Sequence, residues 1–528
     1  MTIKHIFLSA LMLVPAGIQA QSVEQALQGQ LIDPVLPTNG EGWYRYADAM
    51  QLWRNTQNAA SMTLDTVRNR GYAEMRLEHV SGDYHRVQEG RQTNVFLFST
   101  ERYQRMGRHL YGYGRFEFRN GRTKERAWSD VMRTYNSNPF ISGSSVLGKY
   151  DFQDFDLAAR VGTRGFGAWR FGVGLDYRVG DLSRLRDPRS RSRLLDYRLT
   201  PSLSFTAGSH TVGLAGWYHR YKEKIPNIKT VQNDPTLYYY QMTGLDAITG
   251  TVGGYNGFSR EYVNHNFGAE LQYGYQSDTW RSVNAMSIER GTEHVWEQYK
   301  REPGQYATYL YKMSSQNRIV ANGMIHQIDL AAEYQQGYAD EFRPVLVITT
   351  DPVHGYTSQR YDNQFTYKKR FQLKTFDIDL RYRLNFTDVV EVKRYVGLQG
   401  HLSTVSQKHL LPTSKFNLGA TDIRAEYGQS LLSGRRLWLM LGGGMHLALK
   451  ADLRLSDATS DYAQSVLLKD MVYYDSNYWT GNVNLMYQFP LTVKGYRSLW
   501  YVRAYGEMLR AQHNLDRNTV GIAVGLFN

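Results

Sequence analysis

His401 and Ser403 stand two residues apart, and in an extended chain that spacing puts both side chains on one face. An imidazole beside a hydroxyl is the beginning of acyl-transfer chemistry, the ring acting as general base to a serine nucleophile. A third group would have to orient the ring, and Asn417 or Asp422 on the next expected strand is the candidate. The flanking residues argue against lipid hydrolysis. Leu398, Gly400 and Leu402 form the opposite, apolar face, so if this strand lies in a membrane, His401 and Ser403 point away from lipid. They are read as two polar residues of an interior wall, and no catalytic residue is assigned.

Arg184, Arg186, Arg189, Arg191 and Arg193 make the densest run of guanidinium groups, a donor geometry suited to phosphate. Their expected role is a solvated loop, with binding of lipopolysaccharide phosphate as the sharper alternative. Gly442 to Gly444 lack the Lys and Ser or Thr of a phosphate-binding loop, so no nucleotide site is expected. Strand glycines of this kind permit bends or close packing of an interior plug. The 14 His show no pair at metal-ligand spacing, and His79, His85 and His109 are expected on different strands or turns. No metal and no cofactor is predicted.

Such residues need elements to hold them, and the chain supplies them in an export-competent form. Lys4 precedes an apolar run from Ile6 to Val14 that closes at Ala20, the pattern of a secretory signal peptide over residues 1–20. The chain has no Cys, so disulfides, a lipid-attachment site and thiolate chemistry are excluded. Its mean hydropathy of -0.51 excludes a helical membrane bundle. With 40 Tyr and 47 Gly against 13 Pro, the composition suits a barrel with aromatic girdles and a wet lumen. A net charge of +13 in an exported chain points to lipopolysaccharide or anionic solutes, not to nucleic acid.

From about Tyr72 onward the pattern alternates with period two, which predicts an all-β fold. Leu437, Leu439, Leu441, Met445, Leu447 and Leu449 share one face; Trp438, Met440, His446 and Lys450 share the other. Phe376, Ile378, Leu380, Tyr382 and Leu384 oppose Asp377, Asp379, Arg381 and Arg383, and four charges at alternate positions require a water-filled interior. Short links are expected near Asn120 and Gly121, at Thr163 to Gly165, Ala207 to Ser209, Ser277 and Asp278, Ala321 to Gly323, and Ser433 and Gly434. Longer ones, over 134–151, 181–192, 222–258, 292–304, 337–363 and 456–476, all fall on one side, as in an outer-membrane barrel. The reading is a transmembrane antiparallel β-barrel of about 18 strands over residues 61–528, its first strand starting between Ser61 and Val80.

Residues 21–60 do not alternate. Trp43, Tyr46, Ala47, Met50 and Trp53 recur at helical spacing, predicting a short N-terminal helix, periplasmic or tucked into the lumen. The last strand, through Val520, Ile522, Val524 and Leu526, is similar to the signal read by the barrel assembly machinery, although it ends on Asn528 and not on an aromatic residue.

The segment Leu52 to Leu64, LWRNTQNAASMTL, resembles a phrase that recurs ahead of the first strand in outer-membrane proteins of the Bacteroidota. With the tyrosine-rich barrel behind it, the mature chain is similar to an uncharacterised outer-membrane β-barrel family of that group. A looser similarity, on Asn58, Ala59 and Ala60, is to the long-chain fatty-acid transporter group. It implies a hatch formed by residues 21–60; the alternative is that Asn58 and Ala59 merely cap the helix and lead into the first strand. The family resemblance implies location and fold, not a substrate.

The functional expectation is a non-enzymatic, Gram-negative outer-membrane protein, a porin-like solute conduit or an accessory component of a nutrient uptake system with other uptake proteins as partners. The other readings are a surface binding or structural barrel with an occluded lumen, and a lipid hydrolase working through His401 and Ser403.

Overall fold

The computed structural model describes residues 39–65, 69–230, 237–252, 258–493 and 496–527. The signal peptide expected over residues 1–20 and residues 21–38 lie outside the described residues. Eighteen antiparallel strands close into a barrel, as the alternation predicted. They begin with β1 (Arg70–Ser81), β2 (Gln92–Met106) and β3 (Leu110–Arg126), followed outside the wall by the short β4 (Ser142–Ser144). The wall continues with β5 (Gly148–Thr163), β6 (Trp169–Arg184), β7 (Arg191–Ala207) and β8 (His210–Ile225). Then β9 (Tyr238–Gly244) and β10 (Ala247–Val252) join β4 in a separate three-stranded sheet. The second half of the wall is β11 (Arg260–Gln276), β12 (Trp280–Glu297), β13 (Gly304–Ala321), β14 (Met324–Thr350), β15 (Thr357–Asp388) and β16 (Glu391–His409). It ends with β17 (Ser414–Leu431), β18 (Leu437–Arg454), β19 (Tyr478–Val493), β20 (Tyr496–Ala511) and β21 (Asp516–Phe527).

Each wall strand pairs with its neighbour in sequence, and β1 pairs with β21 from Tyr72 opposite Phe527 to Ser81 opposite Asn518. Closure leaves no sheet edge, so every strand has a partner on both sides. Both ends of the wall, Arg70 and Phe527, lie at one rim, here the terminal rim. The tight turns 107–109, 208–209, 277–279 and 322–323 lie there too. Gly208 and Gly323 have φ of 56° and 74°, which a two-residue reversal imposes and glycine adopts without strain. The long connections 127–147 and 455–477 and the described parts of 226–259 gather at the opposite, loop rim.

Most expected links are found, with informative corrections. Asn120 and Gly121 sit inside β3, paired with Phe96 and Val95, and the real turn is 107–109. The polar pair had imitated a turn because its strand rises above the apolar band there. The link expected over 337–363 is mostly strand: β14 and β15 run together to a turn at 351–356, held by pairs such as Val345 with Asp362. The wall starts at Arg70, within the stretch where its first strand was expected.

The faces follow the alternation. Phe171, Leu199, Leu214, Phe267, Leu271, Met286, Ile288, Leu398, Leu441, Trp479 and Ile522 point outward with a third or more of their surface uncovered. So broad an exposed apolar girdle is the signature of a wall that meets lipid. Inward positions carry the charges: Arg383 reaches Glu426 at 2.8 Å, and Tyr501 donates to Glu74 at 2.9 Å.

Candidate functional site

The lumen is the site, and the N-terminal segment fills its terminal rim. Helix α1 (Gly40–Met50) starts at Asn39, whose side-chain oxygen accepts the backbone N–H of Gly42 at 2.9 Å. That same oxygen accepts the Trp438 indole N–H at 2.6 Å, so the cap is also an anchor on β18. The chain leaves the helix at Gln51 and folds back, because Asp65 gathers the N–H groups of Leu52, Trp53 and Arg54 at 3.1, 3.3 and 3.1 Å. Burial pushes the Asp65 carboxyl up to about 7, against the lowering effect of those three donors.

Contacts then run around the wall. Arg70 of β1 holds Gln51 at 2.6 Å and Asp48 at 3.0 Å; Arg54 meets Glu101 of β2 at 2.8 Å. The backbone N–H of Ala60 donates to Ser202 of β7, Asn58 donates to Gln272 of β11, and Asn55 donates to Gln316 of β13. Arg318 of β13 donates to the Ala49 carbonyl at 2.6 Å, and the Glu41 N–H donates to Gln488 of β19 at 3.0 Å. Wall glycines make room for it. A Cβ on Gly172 would sit 2.3 Å from the Ala60 nitrogen, and one on Gly274 would sit 2.3 Å from the Trp53 ring. The glycine cluster singled out in the sequence, Gly442 to Gly444, serves another purpose, since added Cβ atoms at Gly442 and Gly444 would meet Asn482, Arg424 and other strand neighbours.

The expected lumenal segment therefore reaches beyond residue 60. Asn58 does cap the turn Ala60–Leu64, accepting the Ser61 N–H at 3.1 Å, yet it also donates to Gln272, so capping and plugging are one contact set.

The loop rim is closed by the connections themselves. Trp128, Val131, Phe140 and Ile141 from 127–147, Tyr239, Tyr240 and Met242 of β9, and Tyr462 and Val466 from 455–477 pack into one buried cluster. They rest on the upper ends of strands through Ile225, Val295, Tyr306 and Phe371. Trp128 lies 4.5 Å from the Tyr240 ring and 5.4 Å from the Tyr462 ring. Polar ties fix the edges: Arg133 bridges to Glu293 at 2.8 Å, and Ser456 donates to Asp246 at 2.7 Å. Helix α2 (Leu468–Tyr474) adds Asp470, which accepts the Val87 N–H at 2.9 Å; burial raises that carboxyl to about 7.

Between the two closures the wall is polar. Asp379, His401, Asp422, His446 and Tyr478 are successive cross-strand partners from β15 to β19, a lateral ladder at one level. His401 Nδ1 lies 3.1 Å from Asp379, and His446 Nδ1 lies 3.1 Å from Asp422. Sequence reasoning picked His401, Ser403 and Asp422 but missed Asp379 and His446, whose place depends on register between strands far apart in the chain. Ser403 shares the inward face with His401, while Asn417 bonds Ser406 on the other face and cannot orient the ring. Among the described residues no group of three His, Cys, Asp or Glu is arranged to hold a metal ion.

The arginine run is largely committed to internal contacts. Arg184 is buried and donates to Tyr150 and the Val146 carbonyl, Arg189 pairs with Asp187, and Arg191 pairs with Asp181 at 2.7 Å. Arg186 donates to the Leu147 carbonyl at 3.2 Å. Arg193 faces outward between Asp181 of β6 and Lys224 of β8.

Among solved structures the chain is similar to the copper transporter OprC, with a TM-score of 0.37 and 9% identity over 87% of this chain and 81% of that one. It is similar to the outer membrane transporter YddB from Escherichia coli, at TM-score 0.39 and 8% identity over 88% and 81%. The FrpB iron transporter from Neisseria meningitidis matches at 0.39 and 8% over 89% and 83%. No curated protein matches the chain. A family model does, running from residue 59 inside the plug to residue 528 and so taking in the whole wall. The chain belongs to that family, a family of unknown function (DUF6850).

Proposed function

We propose that the protein is an outer-membrane solute conduit held shut by its own N-terminal segment, acting alone or as the accessory component of an uptake system. The observation that carries this reading is the chemistry of the plug's contact with the wall. Hydrogen bonds and ion pairs, from Arg54 with Glu101 to Asn58 with Gln272, run between small separate apolar contacts such as Met50 with Ile325 and Trp53 with Val283, in place of a continuous apolar core. Water substitutes for the neutral hydrogen bonds among these at a net cost of about 0.5–1.5 kcal/mol each, so the seal is one that can be released. The terminal rim then faces the periplasm and the loop rim the cell exterior, the usual arrangement of short turns and long loops.

The test is single-channel conductance of the chain from Gln21 in planar bilayers, beside a version lacking residues 21–65. Current that is rare in the first and sustained in the second supports a gated conduit. A second reading, a surface binding barrel with an occluded lumen, is favoured by the aromatic cluster that closes the loop rim. Silence from both proteins, with the barrel folded, selects it.

A further inference from the structure

Above the outward apolar girdle, the cations of the wall fall into two kinds. Some are neutralised by a neighbouring strand. Arg122 on β3 is held by both oxygens of Asp151 at 2.6 and 3.0 Å, and Arg191 on β7 by Asp181 at 2.7 Å. The outward face of β7 and β8 differs. Arg193 is the direct cross-strand partner of Lys224, and Lys222 and Arg220 follow at alternate positions down β8. Two carboxylates flank them: Asp181, opposite Arg193 on β6, is bonded by Arg191, and Glu261, opposite Lys224 on β11, is paired with Lys222 and Lys300, so the patch keeps an excess of cations. Like charges placed directly opposite each other destabilise a sheet unless something anionic lies between them.

Depth supplies the second half of the case. Arg220 lies in one row with Tyr197 and His265, and the next row toward the terminal rim holds Leu199, Tyr218 and Phe267. Below these come Leu214 and Leu271, both about half exposed. Aromatic side chains mark the boundary between acyl chains and headgroups, so the four cations stand at headgroup level directly above an acyl-chain surface. Lys408 and Lys415 are also opposed, as are Lys124 and Lys149, but these pairs flank the turn at 410–413 and the connection 127–147 and so stand at the solvent edge of the rim.

We propose that Arg193, Arg220, Lys222 and Lys224 form a binding site on the outer wall for a phosphorylated glycolipid of the outer leaflet, the guanidinium and ammonium groups taking its phosphate and Leu199, Leu214, Phe267 and Leu271 its acyl chains. This rests on the membrane reading above, and vesicle flotation of the wild-type protein tests that reading separately. The probe is bis-phosphorylated lipid A titrated into the detergent-solubilised mature protein, compared with enzymatically dephosphorylated lipid A and with inorganic phosphate. The expected result is a preference of about tenfold or more for the phosphorylated lipid, lost when Arg193, Arg220, Lys222 and Lys224 are all changed to Gln and kept in Lys408→Gln/Lys415→Gln. Equal binding of the two lipids overturns the site. So does an equal loss in both variants, which would mean a diffuse basic collar, or full competition by inorganic phosphate, which would mean a simple anion site. Heat-resistant electrophoretic mobility of each variant shows that the barrel is intact.

Discussion

Arg54 of the plug and Glu101 of strand β2 meet at 2.8 Å, and Glu101 keeps only 4% of its side chain exposed. Tyr113 also donates to this carboxylate, at 3.1 Å, so the wall receives the plug through a buried acid with two ligands. An anion so placed is expensive to leave uncompensated.

Arg54→Gln should therefore release the plug. Arg54 itself is 27% exposed, so the expected effect is about 3 kcal/mol, the lower end for breaking a buried pair. In planar bilayers this reads as a rise on the order of 100-fold in the ratio of open to closed time. Adding Glu101→Gln removes the orphaned charge and should restore part of the closure. An open probability unchanged by Arg54→Gln would show that the pair does not hold the seal.

Closure at the terminal rim should depend on pH through Asp65. Its carboxyl titrates near 7 when docked, above the ordinary value of about 4 in a released, solvated segment. A raised acid favours the docked state fully below that ordinary value and loses the advantage as pH rises through 7. Opening should become more frequent between pH 5 and pH 8, and Asp65→Asn, which keeps one acceptor oxygen, should flatten the dependence. A profile identical in wild type and Asp65→Asn would remove Asp65 from the gate.

The loop rim should loosen in Trp128→Ala, which takes the ring away from Tyr240 and Tyr462 at a cost of about 3–5 kcal/mol to loop packing. Since the chain has no Cys, a single Ser142→Cys reports access without interference. Ser142 is fully buried, so thiol labelling should be slow in the parent and markedly faster with Trp128→Ala. Equal labelling rates would mean that the cluster does not seal the loops.

Lipid turnover is the sharpest test of the chemistry that His401 and Ser403 suggest. Their inward face keeps both from bilayer esters, and His401 is engaged by Asp379 at 3.1 Å. Purified protein should release no fatty acid from phospholipid or lipid A vesicles, with no difference in Ser403→Ala. Release abolished by that substitution would reinstate the hydrolase reading.

The sequence by itself determined the class of fold and which way the side chains face. Alternation such as Phe376 to Leu384 against Asp377 to Arg383 needs only the two-residue period of a strand to divide lipid from lumen. The helix through Trp43 and Met50 was equally legible, because its spacing is local. What tertiary structure alone decided is whatever depends on which strands stand side by side. The ladder from Asp379 through His446 joins residues from four strands, and its members meet through register that no local period encodes. The plug is the same case: Asn58 finds Gln272 more than 200 residues away, and Gly172 is a glycine because Ala60 passes over it. Local pattern fixes faces, while closure of the wall fixes neighbours, and the gate proposed here is made of neighbours.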